Sequence, residues 1–335
     1  MVIVHHVAQS YGDTGGAWLV FDKKQVDVLG SFLFFNASYL MVFYFLISGY
    51  FTFVSLRTKT FGQFIKDRLL RFGIPLIVIS LLMNFIMFQI TDQKELNFFE
   101  LYAYLYIEQP PLPFAHLWFV MSLFFYSIVL AAIVKGFQLS TETKVKSFKW
   151  FYPLLWIIVV CGLNIFIRKD YPIDRWEAYI IPVELAHFPN YILAFLSGYL
   201  FKKYNWLEQL NWKIAGMYFG LYLIIFFCKD YIDPDFRGYY KIIHENTLCV
   251  GVTFLIIKLF QLIKGEKNWL LQTLSENTYG MYLVHIFIVL GFQQLFLSFD
   301  LSGWTKFLVV SLLSIVVTFI VSYFVRLIPY AKRVV

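Results

Sequence analysis

Residues 32–56 read FLFFNASYLMVFYFLISGYFTFVSL, an apolar stretch without a single charged side chain. A helix needs about 20 such residues to cross the ~30 Å hydrocarbon core of a bilayer. The stretch lacks the alternation of apolar and polar residues that marks a barrel strand. Because backbone groups in hydrocarbon must bond internally, it is predicted to be a membrane-spanning helix.

Eight further stretches have a similar length and composition. They are residues 72–90, 114–134, 150–167, 186–201, 212–228, 246–263, 278–297 and 304–325. The predicted fold is therefore all-α, a polytopic transmembrane helix bundle with nine full spans. Residues 1–335 are predicted to form a single integral-membrane domain.

The overall composition agrees with a membrane protein. Hydrophobic residues make up 60% of the chain and charged residues only 15%, against roughly 25% charged in soluble domains. The net charge of +7 does not indicate nucleic acid, because the basic residues lie at the ends of apolar runs rather than on one soluble face. Membrane lipids are the expected surroundings, and the scattered cysteines and histidines predict no metal site.

The charges between the spans are sorted by side. Alternate loops hold 18 of the 28 Lys and Arg residues but only 5 of the 21 Asp and Glu residues, and they are 57–71, 135–149, 202–213, 258–276 and 326–335. The positive-inside rule makes this basic side cytoplasmic. The C-terminus is then inside a cell (plasma or inner) membrane, and the acidic loops 91–113, 168–185 and 229–245 are outside.

Residues 1–8 read MVIVHHVA and are predicted to be the outer end of a further helix. Eight helical residues cover only ~12 Å, so we expect a first helix truncated at its inner end. A complete helix there would make ten spans. An ordinary short external tail is the alternative.

His5 and His6 lie at the boundary of that first helix. An imidazole exchanges a proton near neutral pH, which suits a general base that deprotonates a hydroxyl. The alternative for each is an interfacial histidine that bonds to water.

Arg68 and Arg71 lie in the segment FIKDRLLRFGIP (64–75), three residues apart. On an α-helix this spacing places them on one face, where two guanidinium groups could bind a phosphate or pyrophosphate. The alternative is a basic flank of the kind that every cytoplasmic loop supplies.

Polar residues at three other span ends are candidates for substrate binding. They are His116 and Trp118 in AHLWFV, Glu184 before His187 in PVELAHFPNY, and Tyr282 and His285 in NTYGMYLVH. The alternatives are an interfacial aromatic belt, a solvated loop carboxylate and helix packing, respectively. Ser48-Gly49 in FLISGYF predicts a close approach of another backbone or a ligand, and helix packing is the more common cause.

Taken in order, five of these segments resemble the acyltransferase 3 family of multi-pass membrane O-acyltransferases. They are VIVHHVAQSYG, FLISGYF, FIKDRLLRFGIP, HLWFV and NTYGMYLVH, and VELAHFPNYILAFLSGYLF resembles a segment found in one branch. The resemblance covers nearly the whole chain. It implies a ten-helix bundle that moves an acyl group from cytoplasmic acyl-CoA to an acceptor, often a glycan, outside the membrane.

The resemblance also assigns roles. The family histidine falls on His6, with His5 as the second choice, and the family basic pair falls on Arg68 and Arg71. The family arginine about eleven residues before the histidine would precede Met1. Acyl-CoA is the expected co-substrate, and acetyl-CoA is the first choice. The transferred group is expected to be acetyl or succinyl, and no permanently bound cofactor is expected.

A transporter or flippase for a polar solute or a lipid-linked glycan is the rival class, because polar residues within spans are also natural there. The sequence shows no inverted repeat that would favour this class. Binding of CoA to the purified protein would distinguish the two classes, since a transporter of this kind has no use for CoA.

Overall fold

The structure is a computed structural model that describes residues 1–13, 18–91, 97–103, 116–178, 182–263 and 268–334. Within these ranges it describes no side chains at 83–91, 98, 101, 102, 178 and 182. The apolar runs form helices, as predicted, because a helix bonds its own backbone groups within one segment. Most of the predicted loop 91–113 lies outside the described residues.

The first half of the described chain contains seven helices. They are α1 (Val2–Tyr11), α2 (Asp27–Thr58), α3 (Phe61–Arg68), α4 (Ile74–Thr91), α5 (Phe98–Ala103), α6 (Trp118–Gly136) and α7 (Tyr152–Ile167). A π-helix from Leu69 to Gly73 joins α3 to α4. The N-terminal helix predicted for residues 1–8 is confirmed as α1.

The second half begins with a short hairpin and continues with six helices. The strands are β1 (Trp176–Ala178) and β2 (Pro182–Glu184), antiparallel, with Trp176 opposite Glu184. The helices are α8 (Phe188–Lys203), α9 (Trp206–Gln209), α10 (Trp212–Phe227), α11 (Arg237–Leu262), α12 (Trp269–Phe296) and α13 (Gly303–Leu327).

Five helices of the described chain are long and apolar enough to cross a membrane. They are α2, α6, α11 together with the short turn before it, α12 and α13. The helices α7 and α10 are apolar but shorter. The protein is therefore an all-α bundle with membrane-spanning character, and the count of nine spans stays a prediction.

Two helices begin well before the spans predicted for them. Helix α11 begins at Arg237 and α12 at Trp269, each nine residues before the predicted start. The predicted loop 229–245 is thus helical in its second half. Hydropathy detects only the part of a helix that lies in hydrocarbon, whereas the backbone hydrogen bonds continue through polar turns beyond it.

The close approach predicted for Ser48-Gly49 is confirmed and is a helix crossing. A Cβ placed on Gly49 would lie 1.8 Å from the carbonyl oxygen of Phe195 in α8. A Cβ placed on Gly198 would lie 1.8 Å from the carbonyl oxygen of Leu46 in α2. The two helices, each with a Ser-Gly-Tyr sequence at the crossing, therefore touch backbone to backbone, as small residues in membrane helices permit.

Residues 18–26 lie across the ends of α1, α12 and α13. The backbone N–H of Val26 donates to the carbonyl oxygen of Tyr11 at 2.7 Å. Lys306 Nζ in α13 donates to Asp22 Oδ2 at 2.6 Å, and both side chains are 3% exposed. A buried, hydrogen-bonded ion pair of this kind fixes the position of the segment, because either charge alone would be costly to bury.

The loops that the charge pattern places on one side meet at one end of the bundle. Hydrogen bonds and an ion pair join them in sequence: Arg57 to Thr143, the Lys144 N–H to the Lys203 carbonyl, Lys258 to the Leu210 carbonyl, and Arg326 to Glu276. Alternate loops therefore lie at a common end. Their location in the cytoplasm stays a prediction.

Cysteine labelling tests this sidedness. In a cysteine-free background, Asp235→Cys is expected to react with an impermeant maleimide on intact cells, because loop 229–236 is predicted to be outside. Lys144→Cys is expected to react only after permeabilisation. Both positions are exposed, so accessibility within the fold does not limit either reaction. Labelling at 144 with none at 235 would reverse the topology.

Candidate active site

A cavity of about 480 Å³ lies between α1, α2, the start of α6, α12 and the connection from β2 to α8. Six of the nine residues singled out in the sequence line it, namely His5, His6, His116, Trp118, Glu184 and Tyr282. A seventh, His285, packs against the rings of His6 and His116 at centroid distances of 5.2 Å. The fold thus gathers side chains from five separate segments around one space.

The His6 ring is oriented by a neighbour on its own helix. Its Nδ1 lies 2.5 Å from Oε1 of Gln9, one helical turn further along α1. An amide oxygen only accepts hydrogen bonds, so this contact places the imidazole proton on Nδ1 and leaves the lone pair on Nε2. A histidine in this tautomer can act as a base through Nε2.

The indole of Trp18 covers one face of the His6 ring. The two rings are stacked at 5.2 Å with an interplanar angle of 15°. Trp18 Nε1 donates to Gln293 Oε1 at 2.9 Å, and Gln293 Nε2 donates back to the His6 carbonyl at 3.0 Å. Gln293 therefore joins residues 18–26 and α1 to α12 and holds His6 in place.

His116 and His285 complete a group of three imidazoles. His116 Nε2 lies 3.2 Å from the Leu283 carbonyl, and His285 Nδ1 lies 2.6 Å from the Tyr282 carbonyl. Because carbonyl oxygens accept, each of these nitrogens carries the proton. The other ring nitrogens, His116 Nδ1 and His285 Nε2, are buried acceptors without a hydrogen-bond partner in the described part of the chain.

Tyr282 has a positioning contact within this group. Its hydroxyl donates to the backbone carbonyl of His116 and joins α12 to the start of α6. The hydroxyl proton is thereby engaged by the protein, although its lone pairs remain able to accept. His5 stands edge-on to His6 at 5.5 Å, and its Nδ1 is buried without a partner among the described residues.

A cluster of charges lies at one wall of the cavity, which Glu184 and His187 line. His187 Nδ1 lies 2.8 Å from Glu184 Oε2, and His187 Nε2 lies 3.1 Å from Glu245 Oε1. Arg168 makes two hydrogen bonds to Glu245, at 2.7 and 3.0 Å. The cluster joins the hairpin, α7, α8 and α11, and protonation of His187 makes its net charge zero.

Glu184 is held by this cluster on both oxygens. Its Oε1 accepts from the backbone N–H of Asp174 at 2.9 Å. Burial acts to raise the pKa of the Glu184 carboxyl, but the contact with His187 and the N–H of Asp174 outweigh it and bring the pKa below its ordinary value. Glu184 is therefore ionised at neutral pH and supports the wall rather than supplying a proton.

Trp118 belongs to an aromatic surface on the same side. Its ring lies 5.3 Å from Trp176 of the hairpin and 5.4 Å from Tyr191 of α8. These are ordinary distances for offset or edge-to-face aromatic pairs. The surface packs the hairpin onto the bundle and leaves Trp118 and Tyr191 in the cavity lining.

Arg68 and Arg71 lie away from this cavity, at the other end of α2. Arg68 Nη2 contacts Thr52 Oγ1 at 3.4 Å, and its guanidinium lies over the rings of Phe64 and Phe72. Arg71 is exposed. The prediction of one shared face assumed α-helical spacing, whereas residues Leu69–Gly73 are π-helical.

The π-helix has a local cause in the sequence. Pro75 lacks the N–H that would bond to the carbonyl of Arg71 four residues earlier. The hydroxyl of Tyr279 donates to that carbonyl instead, at 2.7 Å. Tyr279 lies six residues before His285 on α12, so ~9 Å of helix separates the arginine segment from the imidazoles.

Burial and the like charge of Arg71 lower the pKa of Arg68 to about 10, so Arg68 remains a cation at neutral pH. The nearest acidic neighbour in sequence, Asp67, is paired with Lys59. Neither arginine forms an ion pair within the described residues. A half-buried guanidinium without an ion-pair partner among the described residues favours an anionic ligand.

Five residues that shape the site were not singled out in the sequence. They are Gln9, Trp18, Arg168, Glu245 and Gln293. Gln9 could have been found, because it lies three residues after His6 on a predicted helix. The others make contacts between distant segments, for which spacing gives no signal.

The structure thus combines long apolar helices with a cavity lined by histidines. The family model described as an acyltransferase domain matches residues 1–325, and the chain belongs to this acyltransferase 3 family. The resemblance predicted from the motifs is confirmed, and the protein is a membrane acyltransferase. No curated protein and no solved structure matches the chain.

Proposed function

We propose that this protein is an O-acyltransferase of the cell membrane, with its C-terminus in the cytoplasm. It would move an acetyl or succinyl group from cytoplasmic acyl-CoA to a hydroxyl of a glycan or another acceptor outside. The observation that supports this most strongly is the cavity around His6. Gln9 places the lone pair of the His6 ring on Nε2. Residues that could bind the acyl donor and the acyl acceptor lie on either side of this ring.

The proposed reaction is direct transfer. His6 Nε2 takes the proton of the acceptor hydroxyl while the hydroxyl oxygen forms a bond to the thioester carbonyl carbon. The bond between this carbon and sulfur then breaks, and His6 returns the proton to the sulfur of the departing CoA. The stacked indole of Trp18 favours the imidazolium that exists between these steps, because the face of an indole attracts a cation.

The donor would bind at the end of the bundle that holds Arg68 and Arg71. Thr52, the partner of Arg68, lies eleven residues along α2 from Met41, which lines the cavity. This is ~17 Å of helix. An extended molecule is therefore needed to connect a phosphate at Arg68 with a reacting carbonyl near His6, and acyl-CoA has this form.

The acceptor would enter from the opposite side, along the wall of Trp118, Tyr191 and Glu184. Aromatic rings suit the apolar face of a sugar, and carboxylate oxygens accept hydrogen bonds from hydroxyl groups. Glu184 uses both oxygens within the protein, and each oxygen keeps a further lone pair for such a contact.

Calorimetric titration with CoA tests the donor site. Arg68→Ala and Arg71→Ala are each expected to weaken CoA binding by roughly ten- to a hundredfold, because each removes charge-assisted hydrogen bonds of about 1.5–3 kcal/mol. Arg68→Lys and Arg71→Lys should restore binding only in part, since a point charge does not reproduce the planar guanidinium. Arg333→Ala, an exposed arginine near the C-terminus, is the matched control and should bind CoA like the wild type.

Two outcomes would contradict this proposal. Equal CoA affinity in all variants would mean that the arginine pair only flanks a helix. No CoA binding by the wild-type protein would remove the donor altogether and favour the transporter alternative.

A further inference from the structure

Asn36 stands out among the polar residues that the reaction above leaves unused. It lies in the first third of the long apolar helix α2, it is fully buried, and it lines the same cavity as His6, His116 and Tyr282. Neither Nδ2 nor Oδ1 has a hydrogen-bond partner within the described residues.

An unsatisfied amide in a protein interior is costly. Each buried polar group without a partner destabilises a protein by about 1–3 kcal/mol. The other buried asparagines in this part of the bundle each have a side-chain hydrogen bond, since Asn164 donates to Asn190 at 2.8 Å and Asn190 donates to Asn246 at 2.7 Å. Asn36 differs from them because neither atom of its amide has a partner within the described residues, although the residue borders a cavity.

The histidines and Tyr282 of this cavity lack the free donor that Asn36 supplies. The unpartnered nitrogens of His116 and His285 are acceptors, because their ring protons are engaged by carbonyl oxygens. The hydroxyl proton of Tyr282 is engaged by the His116 carbonyl. The amide of Asn36 always carries two N–H donors, and in the described residues neither is engaged by the protein.

Acyl transfer is accelerated by such a hydrogen-bond donor. When the hydroxyl oxygen bonds to the thioester carbon, the electron pair of the C=O bond moves onto the carbonyl oxygen, and it returns when the bond to sulfur breaks. A hydrogen-bond donor held in place for this oxyanion accelerates acyl transfer, typically by 10²–10³-fold. An amide that is already dehydrated and fixed by a helix meets this need without reorganisation.

We propose that Asn36 is a catalytic residue whose side-chain N–H binds the oxyanion formed from the thioester carbonyl. This role rests on the proposed O-acyltransfer. It explains why an amide is buried here without a partner: the N–H group would gain its hydrogen bond only when the charged oxygen forms during the reaction. Interactions made only in the transition state raise kcat rather than lower KM.

The test combines activity with stability. Asn36→Leu removes the donor and replaces a polar group by an apolar one of similar size, so the Tm should be unchanged or higher while kcat falls by about 10²–10³-fold. KM for the acceptor and the affinity for CoA should change little. Asn36→Asp, which keeps the shape and loses the N–H₂ donor, should be similarly inactive and covers the case in which leucine does not fit.

Asn190→Leu is the matched control, because it makes the same substitution at a fully buried asparagine that has partners. It should lower the Tm. The inference is overturned if Asn36→Leu lowers the Tm as Asn190→Leu does, if it transfers at the wild-type rate, or if only KM rises.

Failure of the proposed function looks different. In that case the wild-type protein would not transfer an acyl group, or His6→Ala would transfer normally. If His6 is required but the Asn36 variants retain kcat, the function stands and the role of Asn36 is wrong.

Discussion

His6→Ala is expected to lower kcat for acyl transfer by about 10²–10⁴-fold, which is the usual contribution of a general base. The expectation follows from the tautomer that Gln9 imposes and from the position of the ring in the cavity. CoA affinity should stay close to the wild-type value, because the arginine segment lies at the other end of α2. Steady-state transfer to a hydroxyl acceptor and CoA titration on the same preparation measure both quantities.

His5→Ala is the matched control for this substitution. His5 lines the same cavity and precedes His6 by one residue, but no side-chain hydrogen bond of the described residues fixes its ring. It should affect kcat far less. Loss of activity in His5→Ala with retention in His6→Ala would mean that the wrong imidazole has been chosen, and activity in both variants would exclude a histidine base on α1.

Gly49→Ala and Gly198→Ala are expected to have the largest effects on stability. A Cβ at either position would lie 1.8 Å from a carbonyl oxygen of the facing helix. Backbone atoms cannot move aside as a flexible side chain can, so the cost should reach or exceed ~3 kcal/mol, the upper part of the range for overpacking. Thermal unfolding in detergent and the yield of monodisperse protein are the measurements.

Glycines in open positions provide the control. A Cβ on Gly162 in α7 or on Gly220 in α10 meets nothing within 4 Å. Alanine there should be neutral or stabilising by about 0.5–1 kcal/mol, because glycine is unfavourable within a helix. If Gly49→Ala is no more destabilising than Gly162→Ala, the two helices do not touch as described.

The helices could be predicted from the sequence where they consist of a long apolar run. Residues 32–56 and 304–325 fall within α2 and α13, because an uninterrupted apolar run leaves a helix as the stable solution. The polar beginnings of α11 and α12 were missed, since charged and polar residues form helix and loop alike. The hairpin was also missed, because strands of three residues are too short for a periodic pattern.

The site was predictable only in part. His285 could be singled out because a histidine within an apolar run needs a partner across the bundle, and His6 because an imidazole exchanges a proton near neutral pH. Apart from Gln9, the residues that hold these rings in place could not be predicted. Trp18 lies in a loop and Gln293 near the end of α12, and no local pattern indicates that they bond to each other across the chain. The same is true of Glu245, whose role depends on His187 and Arg168.

The crossing of α2 and α8 has a mechanical consequence for how a bulky acceptor reaches His6. Residues 30–41 of α2 form one wall of the cavity, and Glu184, His187 and Tyr191, at and before the start of α8, form the next. Helices that touch backbone to backbone cannot approach further, and their small residues keep them packed. The spacing between these two walls is therefore fixed, and any widening of the mouth must come from the walls formed by α1, α12 and the start of α6.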